Sequence, residues 1–193
     1  MQNDIITIPL FPLHSVLFPD GLLPLRIFEP RYLEMVSQCL KQNTPFGISL
    51  IYDGNEVGEA ALTHNIGTIA KIIDWDKEEN DLLIIKVVGQ QKFKILSQES
   101  KKNQLIEAKV QLFPSEASAT LTAEYQFFGD LLEQIIQQLG NIYPQISLDY
   151  ANAHWVSYRL AELLPISLAQ RQELLELPDP TRRLAILKQS FRD

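Results

Sequence analysis

An α+β chain is what the sequence predicts: a curved sheet or small barrel carrying one inserted helix, followed by a helical bundle. Three observations point there. Apolar runs rich in Ile, Val, Phe and Trp, the first of them (Ile5 to Leu10) with period-2 character, recur through the first 113 residues. One stretch after Pro30 changes to helical spacing. From about Ser118 the apolar residues recur every three or four positions instead. Several short strands with one inserted helix favour a closed or strongly curved sheet. The segment "FPSEASAT" (113–120) is the expected boundary, giving a β-rich part at 1–117 and a helical part at 118–193.

The elements follow in order. Ile5 to Leu10 is an apolar run, and Pro9 and Pro12 confine it to an edge or strand end because proline donates no ladder hydrogen bond. "FPDG" (18–21) has turn chemistry, and Leu22 to Phe28 is the next strand. Pro30 suits a first helical turn. Tyr32, Met35, Val36, Cys39 and Leu40 then form one apolar stripe, which ends near "KQNTP". "FGISLIYDG" (46–54) is a strand. "IGTIAKIIDW" (66–75) and "DLLIIKVVGQQKFKIL" (81–96) read as a long antiparallel hairpin, with Gly89 marking a bulge or bend. "LIEAKVQLF" (105–113) closes the β section.

In the second part, Leu121, Tyr125, Phe128, Leu132, Ile135 and Leu139 predict a helix ending at Gly140. A second helix is expected over Leu148 to Leu164, stopped by Pro165. Ser167 with Gln170 three residues on is a capping box, and Asp179 with Pro180 opens the last helix.

Composition narrows the function classes. The 193 residues are 46% hydrophobic and 21% charged, enough for a real core. A net charge of -7 repels phosphate, which disfavours nucleic acid as a partner. Cys39 is the single cysteine, so neither an internal disulfide nor a Cys-x-x-Cys zinc pattern is available. The N-terminus lacks a basic region ahead of its apolar run, and no stretch approaches the ~20 apolar residues of a membrane helix. A soluble cytoplasmic protein is expected, with no membrane association.

Catalytic signatures do not emerge. None of the eight glycines precedes a lysine, as a phosphate-binding loop requires, and "GISLI" lacks the second glycine of a nucleophile elbow. His14, His64 and His154 stand in separate segments. Adjacent His14 and Ser15 point to opposite faces of an extended chain. "KEEND" (77–81) reads as a solvated hairpin tip and Arg182, Arg183, Lys188 and Arg192 as a basic C-terminal patch. No cofactor or metal is expected.

Against this background, "IPLFPLHSVLFPDGLLPLRIFEPRYLEMV" (8–36) resembles the start of the Lon protease N-terminal, substrate-binding domain, closest to its stand-alone bacterial branch. "GTIAKI" (67–72), "VVGQQKFKI" (87–95) and "QELLELPDPTRRLAIL" (172–187) are similar to the family's middle strands and C-terminal helices in order and spacing. The sequence departs from the family at Lys92, where arginine is common, and at Leu105, where an aromatic is usual. The resemblance implies a PUA-like barrel with an inserted helix and a helical bundle, without Lon's ATPase and Ser–Lys protease modules. It implies a non-catalytic module binding protein or peptide segments; an RNA-binding PUA-like module is the alternative.

Within "RIFEPRY", two roles stay open. Phe28 and Tyr32 are expected to anchor a strand-to-helix corner in the core, with Glu29 accepting first-turn N–H groups and Arg26 or Arg31 pairing with it. The other role is the rim of a peptide groove, for which Phe11, Phe18, Arg26, Phe28, Glu29, Arg31, Tyr32 and Trp75 are the candidate residues.

Overall fold

The structure is a computed structural model describing residues 4–78, 82–140, 142–143 and 147–190. The chain divides into two compact units, Met1–Pro114 and Ser115–Asp193.

The first unit carries β1 (Ile5–Leu13), β2 (Leu22–Ile27), α1 (Pro30–Gln42), β3 (Phe46–Asp53), β4 (Leu62–Thr63), β5 (Ile66–Lys77), β6 (Leu83–Ser100) and β7 (Ile106–Leu112). The strands run β1-β7-β6-β5-β3, and a parallel β1–β3 pairing joins the ends into a five-stranded barrel. The long β5–β6 hairpin expected from sequence is present, with Trp75 in register with Ile85. Its tip at residues 79–81, most of the "KEEND" run, lies outside the described residues.

The expectation that Pro9 and Pro12 confine this run to an edge or strand end is corrected: β1 continues through both prolines, from Ile5 to Leu13, with a partner on either side. Ile5–Leu10 pairs with β7, and Leu10–Leu13 pairs with β3. The N–H of Leu112 donates to the carbonyl of Asp4, which sets the alternation of the β1–β7 ladder. By that alternation the Pro9 nitrogen points away from β7, and β3 pairing begins only at Leu10. β1 is therefore an interior strand that hands over from β7 to β3 at Leu10, which pairs with both.

Gly89 combines a bulge with a close approach. The β5–β6 register shifts between Thr68 and Ala70, opposite Gly89 to Lys92. A Cβ on Gly89 would stand 2.0 Å from the Phe18 carbonyl oxygen. Only glycine lets the 18–21 turn dock here, where the Asp20 N–H reaches the Gly89 carbonyl at 2.8 Å.

Two apolar clusters fill the unit. Ile8, Leu10, Ile69, Phe93, Ile95, Ala108 and Val110 form one. The other joins α1, through Tyr32, Met35, Val36 and Cys39, to Leu25, Ile27, Ile85 and Val87. The predicted stripe on α1 is the buried one, except Leu40, which is exposed.

The second unit holds a 3-10 turn at Ala123–Tyr125 and helices α2 (Gln126–Leu139), α3 (Ala153–Leu163), α4 (Leu168–Glu176) and α5 (Pro180–Gln189). The Ser167/Gln170 capping box and the Asp179 cap are both formed. α3 starts at Ala153 rather than near Leu148. The backbone of 119–121 pairs with 151–153, through Leu121 N–H to the Ala151 carbonyl and Ala153 N–H to the Ala119 carbonyl. Asn152 then caps the helix by accepting from the N–H groups of His154 and Trp155.

Candidate peptide-binding groove

β2 leaves one edge open. It pairs with Leu83–Val88 of β6, whereas β7 pairs with Phe93–Ser100 of the same strand. The Gly89 N–H donates to the Gly21 carbonyl, so Leu22 and Val88 are a non-hydrogen-bonded pair. Alternation along the regular register then turns the backbone groups of Leu22, Pro24 and Arg26 away from β6. Pro24 sits on the outer edge, where a missing N–H leaves the sheet intact.

Beside this edge lies a cavity of about 340 Å³. Its floor comes from Phe11 and Leu13 at the end of β1 and from Tyr32 on α1. Pro24 to Phe28 form one wall, and Glu56 and Val57 of the 54–61 loop form the other. Phe11 to Leu13 pairs only with β3, so two half-paired strands border one cavity. The Phe11 and Tyr32 rings stack with centroids 4.1 Å apart, making a rigid aromatic floor. Burial pushes the Tyr32 hydroxyl up to about 12 from its ordinary 10.0, the nearby Arg31 pulling the other way.

The acidic groups of the groove are already engaged. The Arg31 guanidinium is buried 3.0 Å from a Glu29 carboxylate oxygen. It also donates from Nη1 to the Gln104 carbonyl at 3.0 Å and from Nη2 to the Glu56 carbonyl at 3.4 Å. The Glu56 carboxylate accepts the His14 N–H at 2.6 Å. Arg31 thus ties the start of α1 to two loops, and the 54–61 loop is held over the groove at two points. Arg26 differs: its side chain is 72% exposed, and its contact with Glu78 is long at 3.9 Å.

The eight residues singled out from sequence therefore separate. Phe11, Arg26, Phe28, Glu29 and Tyr32 line one cavity. Arg31 lies just behind it as a tie. Phe18 is fully buried under the 18–21 turn and does not line the cavity. Trp75 is exposed on β5, in the row of Ile85 and Leu25, and also lies outside it. Two expectations for the corner are corrected. Phe28 is 60% exposed and not a core anchor, because Ile27 takes the inward position at the end of the strand. Glu29 occupies the N-cap but makes no side-chain cap bond, since its carboxylate is turned to Arg31. Val57, 54% exposed beside Phe28 in the lining, was missed from sequence; an isolated valine in a loop of Gly, Asn and Glu carries no periodicity signal.

Two arginines of the second unit are fully buried. Arg183, read from sequence as part of a basic patch, is fully buried on α5, while Arg192 lies outside the described residues. Arg183 donates to Ser157 Oγ at 3.0 Å and to the Leu177 carbonyl at 2.6 Å, and its guanidinium lies 3.9 Å from the Tyr158 ring centroid. Burial lowers its pKa. Arg159, also fully buried, meets Glu162 at 2.9 Å. Among the described residues no group of three or more His, Cys, Asp or Glu side chains is arranged to hold a metal ion. No helix among them is long and apolar enough to cross a membrane.

With the barrel, its inserted helix and the helical unit established, comparison with known proteins is decisive. Residues 7–189 match the family described as the ATP-dependent protease La (LON) substrate-binding domain. The chain belongs to this family. A solved Lon N-terminal domain protein from Xanthomonas campestris is similar at 34% identity and a TM-score of 0.80, covering 94% of this chain and 96% of that one. Lon protease 1 of Bdellovibrio bacteriovorus is 25% identical over 181 residues, 89% of this chain and 22% of that protein. Chicken (Gallus gallus) protein cereblon is 30% identical over 111 residues, 55% of this chain and 24% of that protein. The chain thus spans about a quarter of the length of these two curated relatives. The expected likeness to the Lon substrate-binding domain, and the mixed fold that goes with it, are both borne out.

Proposed function

We propose that this Lon-type substrate-binding domain recognises protein segments without catalysing a reaction on them, and that the groove beside β2 is where they dock. One observation carries the reading: an open strand edge borders a cavity with an aromatic floor and an exposed apolar rim of Phe28 and Val57. Apolar groups gathered at the rim of a groove mark interaction surfaces, and an extended segment covers both the edge and the rim. Membership of a family described as substrate-binding supports the same reading. A cytoplasmic setting accords with the lone, buried thiol of Cys39.

Calorimetry with a reduced, alkylated model protein tests it. Binding at micromolar to tens of micromolar concentration, weakened by Phe28→Ala, is the expected result. Absence of heat at those concentrations contradicts it.

A further inference from the structure

Resting on that reading, we propose that the groove takes its ligand as an added antiparallel strand on β2, and that it selects an acidic residue flanked by apolar ones. Two features of the first unit lead there.

The first is the pattern of backbone groups on the open edge. Leu22 and Arg26 present N–H and C=O outward, and Pro24 presents only its carbonyl. A strand laid along this edge exchanges both hydrogen bonds with Arg26 through the residue opposite it, and both with Leu22 through the residue four positions later. Between them it meets a proline, so the ligand needs no acceptor at the central position.

The second is the charge balance. Glu29 is held by Arg31 and Glu56 by the His14 N–H, which leaves Arg26 as the exposed charged side chain of the lining with only a long contact. In a pleated pair, directly opposed residues share a face. A ligand residue opposite Arg26 therefore lies on the outer face beside the guanidinium, where a carboxylate fits. Its two neighbours turn inward, toward the buried rings of Phe11 and Tyr32, where apolar side chains fit. The ligand is thus an extended segment of a partner protein of pattern apolar–acidic–apolar.

Fluorescence anisotropy with labelled nine-residue peptides tests this on the whole chain, with the reduced, alkylated model protein as a parallel ligand. The reference peptide has Glu at its centre flanked by Val. Replacing that Glu with Lys is expected to weaken binding about fivefold, the size of an exposed ion pair, and Arg26→Glu to reverse the preference. N-methylation of the central Glu amide is expected to weaken binding about tenfold, whereas N-methylation of either neighbour, whose amide faces solvent, changes it little. Arg26 is exposed, so its substitution leaves the fold intact. Peptides and model protein that bind with no dependence on charge or on methyl position overturn the added strand and leave the wider reading standing. Failure of both to bind overturns the two together.

Discussion

Arg31 Nη2 lies 3.0 Å from Glu29 Oε2 across the strand-to-helix corner, with the two side chains only 5% and 16% exposed. This pair is the tie on which the corner turns, because the same guanidinium also reaches the carbonyls of Gln104 and Glu56. Removing the cation leaves a mostly buried carboxylate and two carbonyls without their donor. Arg31→Ala is expected to destabilise the first unit by about 3 kcal/mol. Arg31→Lys recovers part of this at most, since an ammonium does not span three separated acceptors in a plane. Urea unfolding followed by amide exchange in the barrel strands measures it.

Exposure predicts the opposite outcome at Phe28. With most of its surface in water, Phe28→Ala changes stability by about 0.5 kcal/mol or less. The same substitution weakens binding of an unfolded protein. A variant that is stable and yet deficient in binding separates rim from core; equal losses in both place Phe28 among the structural residues.

Tyr32 carries a pH signature. Its folded pKa of about 12 stands above its ordinary 10.0, so the folded state holds the phenolic proton more tightly than the unfolded chain does. The stability this contributes is full below pH 10, and is lost as pH rises from 10 through 12. Two units correspond to about 2–3 kcal/mol. Alkaline unfolding of the wild type is expected to steepen in that window relative to Tyr32→Phe. Superimposable profiles contradict the burial of that hydroxyl.

Two further substitutions probe packing. Gly89→Ala drives a methyl against the Phe18 carbonyl, and a loss of at least about 3 kcal/mol or failure to fold is expected. Arg183→Met keeps volume while deleting the donors to Ser157 and Leu177, leaving a buried hydroxyl and a half-buried carbonyl each short of a donor. A loss of about 1–3 kcal/mol is expected in the second unit, read from the fluorescence of buried Trp155.

Sequence pattern revealed the skeleton of this protein because periodicity is a local property. The stripe from Tyr32 to Cys39, the Ser167/Gln170 box and the Asp179–Pro180 start each depend on residues within one or two helical turns, and each is realised. What escaped was settled by partners far along the chain. Leu148 to Asn152 is not helical: Asn152 N–H closes a turn on the Asp149 carbonyl, and residues 119–121 pair with 151–153. Arg183 looks like surface charge until Ser157, 26 positions earlier, is placed against it. Along "RIFEPRY" the motif could not tell which aromatic is buried, because alternation at a strand end decided that Ile27 turns inward and Phe28 outward. Val57 lines the cavity only through the loop that His14 and Arg31 hold in place.

Amide exchange at β2, followed by NMR with and without a saturating unfolded protein, addresses the central claim most directly. The outward N–H groups of Leu22 and Arg26 exchange freely in the unliganded protein and slow by at least tenfold on binding, an estimate equal to one hydrogen bond of about 1.4 kcal/mol each. Protection that appears elsewhere while these two amides stay unchanged contradicts a ligand held along this edge.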